Sequence, residues 1–72
     1  MKLSATAVRR SNSVRRHEVL VYCRESTARI AFPNRQRRDE ACRLIRRTLS
    51  AAPDGVAILE VEPEGVAPST AQ

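Results

Sequence analysis

Aromatic side chains are almost missing from this chain: it has Tyr22, Phe32 and no tryptophan. Unpaired bases are held mainly by stacking on aromatic rings, so the composition argues against single-strand recognition and for duplex or backbone binding if any nucleic acid is bound. Glycine is as scarce. Gly55 and Gly65 both stand in turn contexts, and no glycine-rich loop exists to cradle a phosphate. The two cysteines, Cys23 and Cys42, form no C-x-x-C pair, and with the single histidine, His17, they fall short of a closed four-ligand zinc site. As a thiol and base they lack an orienting partner. Both cysteines therefore read as small core residues. Nor is there a paired-carboxylate arrangement, since Glu60 and Glu62 share one strand face beside Glu64. No catalytic residue, metal or cofactor is expected, and the chain is not expected to be an enzyme.

Long apolar runs are also lacking. No segment approaches the roughly 20 apolar residues of a membrane-spanning helix, and residues 1–7 have no continuous apolar stretch of the kind a secretory signal needs. A cytoplasmic location with reduced thiols is the expectation, with no membrane partner.

What the chain has is arginine. Twelve of its thirteen basic residues are arginine, Lys2 being the exception. Guanidinium grips phosphate or carboxylate with two parallel hydrogen bonds, although a GC-rich coding sequence would produce the same bias. The charge is uneven. Residues 1–16 carry +5 with no acid, residues 17–51 carry +4, and residues 52–72 carry −4. A basic front and an acidic back suit an anionic partner for the front; the alternative is that the two ends neutralise each other, within one molecule or a dimer.

The pattern predicts one small α+β domain at residues 17–62. Residues 33–49 form its most legible element. Asn34 caps a helix, after which Ala41, Leu44, Ile45, Thr48, Leu49 and Ala52 recur at steps of three and four, the stripe of an amphipathic helix. Residues 17–24 alternate as a strand with Val19, Val21 and Cys23 on one face and Leu20 and Tyr22 on the other. Residues 27–32 give a second strand, ended by Pro33, and residues 56–62 a last one. Residues 1–16 are either a basic arm or an extra strand, in which Leu3, Ala5 and Ala7 alternate with Ser4, Thr6 and Val8, followed by a turn at residues 11–13. Residues 63–72 show no periodicity and are expected to be a flexible tail.

The expected fold is thus a small antiparallel-rich sheet, ββαβ with room for an N-terminal strand, packed on one amphipathic helix. Two strand orders are considered. The last strand pairs beside 17–24 in a fully antiparallel sheet, or an N-terminal strand takes that edge and the last strand lies parallel beside 27–32.

The opposite helix face carries Arg35, Asp39, Arg43, Arg46 and Arg47. Arg37 and Arg38 stand in the first turn, where the helix dipole disfavours cations. Arg43, Arg46 and Arg47 lie three and four residues apart and repel, with Asp39 and Glu40 offsetting part of this through Arg43. Charge placed against local preference marks candidate function. The candidate nucleic-acid-binding residues are therefore Arg35, Arg43, Arg46 and Arg47, aided by Arg9, Arg10, Arg15 and Arg16, with duplex or structured RNA backbone as ligand. The plain alternative is a solvated helix face. A different class of function is a protein-interaction module through the apolar outer residues Leu20 and Tyr22. It would be a homodimer, or an inhibitor or adaptor of the phage or mobile-element kind docking on a larger protein complex.

Overall fold

A computed structural model describes residues 1–12, 15–62 and 65–69. Five strands and one helix follow in the order β1 (Lys2–Arg10), β2 (His17–Cys23), β3 (Thr27–Phe32), α1 (Arg35–Ala51), β4 (Ala57–Glu62) and β5 (Gly65–Pro68). They form one antiparallel sheet of order β3-β2-β1-β4-β5 with α1 on one face, touching all five strands. The α+β class and the helix-on-sheet arrangement are as the periodicity predicts.

The strand order is neither of the two expected. Residues 1–16 supply a strand, and it occupies the centre of the sheet. β4 pairs with β1 itself, Leu3 facing Leu59 and Ala5 facing Ala57, and so stays antiparallel, with two strands between it and β3. β1 suits a central place because Leu3, Ala5 and Val8 give it one apolar face that packs on the core, where Ala5 and Ala57 are both buried. The expected flexible tail is corrected too, over residues 65–68. β5 pairs with β4, Val61 facing Val66, and Val66 packs against the core. Pro68 closes this edge strand, where a missing N–H costs no ladder bond. The expected turn at residues 11–13 and the rest of the tail fall partly outside the described residues, at Ser13, Pro63, Glu64 and residues 70–72.

Strict alternation also fails inside β1. Ala5 faces Cys23 but Ala7 faces Tyr22, so Thr6 is an extra residue, a β-bulge. The Thr6 hydroxyl donates to the Tyr22 carbonyl at 3.0 Å. Since side chains alternate with period two, one inserted residue exchanges the faces of everything beyond it. Leu3 and Ala5 face the helix before the bulge; Val8 packs on the core after it, and Arg10 follows on that side.

The helix is capped as expected: Asn34 Oδ1 accepts from the Arg37 N–H at 2.9 Å. It ends at Ala52, whose N–H donates to the Leu49 carbonyl at 3.2 Å. Pro53 follows, and then Gly55, whose positive φ of 73° suits glycine. Ala41, Cys42 and Ile45 are its buried residues, joined by Val19, Val21, Ile30, Phe32 and Leu59. No described helix is long and apolar enough to cross a membrane.

Candidate functional site

The helix stripe runs one residue further back than its apolar members show. Arg38 lies three positions before Ala41 and four before Cys42, on the side that meets the sheet. Its side chain is only 13 % exposed. An arginine so placed buries its stem on apolar surface and needs a partner for its head. That partner is Asp39. Arg38 Nε donates to Asp39 Oδ1 at 3.1 Å and Arg38 Nη2 lies 3.0 Å from the same oxygen.

A second guanidinium reaches this carboxylate from the sheet. Arg10 Nη1 stands 3.6 Å from Asp39 Oδ1, on the helix side only because the Thr6 bulge turned it there. Asp39 therefore neutralises charge across two elements, and its described ion pairs are with Arg38 and Arg10 rather than Arg43, as the helical spacing had suggested. Burial acts to raise the Asp39 pKa. The hydrogen bond and charge of Arg38, reinforced by Arg10, outweigh it and hold the carboxyl below its ordinary value.

Around this contact the two basic segments of the sequence meet. A hollow of about 380 Å³ is lined by Arg9, Arg10, Ser11, Asn12, Arg38 and Arg46. Beside it, a second of about 270 Å³ is lined by Arg10, Asp39, Cys42, Arg43 and Arg46. Of the sequence candidates, Arg10, Arg43 and Arg46 thus form one ridge along the end of β1 and one flank of α1, and Arg9 borders it from the other side of the strand, where it faces Leu20. Arg47 belongs to the other flank, in a cleft described below. Arg35 is exposed at the first residue of α1 and lines none of these hollows. Arg15 and Arg16 are exposed beyond the undescribed residues 13 and 14. Leu20 and Tyr22 lie half-buried on the uncovered face of the sheet, Leu20 between Arg9 and Arg29, Tyr22 between Ala7 and Thr27.

Comparison of the chain with protein-family models, with characterised proteins and with solved structures yields no match. The ridge must be read on its own chemistry.

That chemistry is electrostatic. Among the described residues no three histidine, cysteine, aspartate or glutamate side chains are grouped to hold a metal ion. Cys42 is buried and Cys23 half-buried against the core, and both are free thiols. Arg38 is the residue that sequence reading missed. Its signal was positional: an arginine in register with Ala41 and Ile45 has to lie against the sheet.

Proposed function

We propose that this chain is a non-enzymatic binding module that grips the backbone of a nucleic acid. Arg9, Arg10, Arg43 and Arg46 make the phosphate contacts, with Arg38 and Asp39 positioning them. One observation carries this reading: basic residues of the N-terminal strand and of the helix converge on one ridge, where Asp39 is the one carboxylate among the described lining residues. The charge is pre-organised, because Asp39 anchors Arg10 to the helix while leaving that side chain 54 % exposed. Arg15 and Arg16 add charge next to β1 in sequence. Tyr22 lies on the uncovered sheet face and Phe32 is nine-tenths buried, so stacking contributes little and a duplex or a structured RNA backbone is the fitting ligand.

The test is salt dependence. Four phosphate contacts give a log–log slope near −3.6, hence about a hundredfold loss of affinity for a duplex between roughly 50 and 200 mM salt. The Arg43→Glu, Arg46→Glu double variant should bind weakly even at the lower salt while keeping its circular dichroism. No binding by the parent chain at that salt, or binding that ignores both substitutions, would end the proposal.

A second reading has its own observation. The helix covers one sheet face; the other presents Leu20, Tyr22 and the 45 %-exposed Ile58. Glu60 and Glu62 stand toward the β4 side of that face, and Arg9 and Arg29 toward the β1–β3 side. A two-fold axis along the strands would set one half over the other, as a self-complementary dimer requires. A sizing run on the parent and on the Leu20→Thr, Tyr22→Thr variant decides it: a dimer that falls to monomer supports the interface, and a monomeric parent removes it.

A further inference from the structure

The flank of α1 away from Arg10 builds a different site. The sheet curls around the helix far enough for its two outermost strands to line one hollow. Phe32, the last residue of β3, and Gly65 and Val66, the first of β5, share a cleft of about 400 Å³ with Arg37, Glu40, Ala41, Arg43, Leu44 and Arg47. Only Arg43 is common to this cleft and the ridge.

Its lining is divided by chemistry. Phe32, Ala41, Leu44 and Val66 supply apolar surface, Phe32 and Ala41 being at least nine-tenths buried beneath it. Arg37, Arg43 and Arg47 supply three exposed guanidiniums. Among the described residues, none of these three lies within ion-pair distance of a carboxylate. Among the described residues Glu40 is the acid that lines the cleft, and one of its oxygens already accepts from Gln36 Nε2 at 3.2 Å. Positive charge is therefore left over beside an apolar floor, and one carboxylate oxygen stays open to an N–H donor. The volume falls within the ordinary range for small-ligand sites, about 300–1,000 Å³.

We propose that this cleft binds a small organic anion: a phosphate or carboxylate joined to a flat apolar body that carries an N–H group. The apolar body rests on Phe32, Leu44 and Val66. Arg47 and Arg37 hold the anion in forked hydrogen bonds, and Glu40 accepts from the N–H. Neither half of such a ligand suffices. Inorganic phosphate has nothing for the floor, and a neutral nucleoside has nothing for the arginines. The site stands apart from the nucleic-acid reading, since its key residues Leu44 and Arg47 are outside the ridge.

The experiment is an amide-resolved NMR titration of the full chain with four probes: adenosine 5′-monophosphate, N-acetylphenylalanine, adenosine and inorganic phosphate. At least one of the two amphipathic anions should shift the amides of Phe32, Ala41, Leu44 and Val66, with an affinity about tenfold or more above that of adenosine or phosphate. Response to the nucleotide alone identifies a phosphate ligand, and response to the acyl amino acid alone a carboxylate ligand. Arg47→Glu, at an exposed position that leaves the core untouched, should weaken binding by about tenfold or more; Leu44→Gln should weaken it while the remaining amides keep their positions. The proposal fails if neither anion shifts the cleft amides at millimolar concentration. It fails equally if the shifts spread over Arg10, Arg38 and Arg46, or if Arg47→Glu binds as the parent does.

Discussion

The two flanks of α1 carry the same kind of side chain under different physical constraints. On one flank Asp39 pins Arg38 within the helix at 3.0 Å and ties the helix to Arg10 of β1 at 3.6 Å. On the other, Arg37 and Arg47 border an apolar cleft without a described carboxylate partner. Pinning lowers the entropy lost when a flat polyanion docks, and suits a broad ridge. Unpinned guanidiniums over an apolar floor can reorient around a small anion. The difference shows that an arginine count says little until the partners of each arginine are known.

Removing the platform under both flanks gives the largest expected effect. Ile45 is fully buried, and Ile45→Ala should cost about 2–5 kcal/mol, read as a drop in denaturant midpoint, with binding at both proposed sites falling together. A midpoint unchanged by that substitution would mean that α1 is not seated on the sheet as described. Next comes Arg38→Ala. It removes a nearly buried stem and leaves Asp39 with Arg10 alone, and should destabilise by about 1–2 kcal/mol. The matching change on the other flank, Arg47→Ala, should stay within about 0.5 kcal/mol. Equal losses from the two would erase the contrast drawn here.

The smallest effect is on pH dependence. Because the Asp39 pKa is depressed in the fold, its contribution is fully present above the ordinary aspartate value of about 3.9. It is lost as the pH falls through the lower folded value. Asp39→Asn should flatten stability against pH in that acidic window and leave the profile near neutrality unaltered in slope. A variant that keeps the acid loss would assign it to other carboxylates.

Much of the fold was legible because its elements announce themselves locally. The Asn34 cap, the Ala41–Ile45–Leu49 spacing and the Pro33 stop place α1 and β3 within two residues of their observed bounds. β1 and β5 were less legible. Their residues are small or irregular, Ala5 and Ala7 in one, Gly65 and Pro68 in the other, and each is a strand through its partners rather than by pattern. The bulge at Thr6 depends on a register that only Cys23 and Tyr22 reveal. The site divides the same way. Arg9, Arg10, Arg43 and Arg46 could be nominated by charge. Their meeting, the role of Arg38, and the cleft between β3 and β5 are products of the topology, which brings together residues far apart in the chain.

The central position of β1 bears on how the molecule assembles. β1, β2 and β3 are sequential neighbours and can zip by short hairpins. β1's other edge waits for β4, and the Met1–Val61 contact that extends this pairing spans 60 positions. Closing so long a loop is paid in entropy before any contact rewards it. Docking of α1 and β4 onto a three-stranded meander is thus expected to come last in folding. Until it occurs, the middle strand of the finished sheet is an exposed edge, and crowded or high-concentration refolding should show its aggregation in that interval.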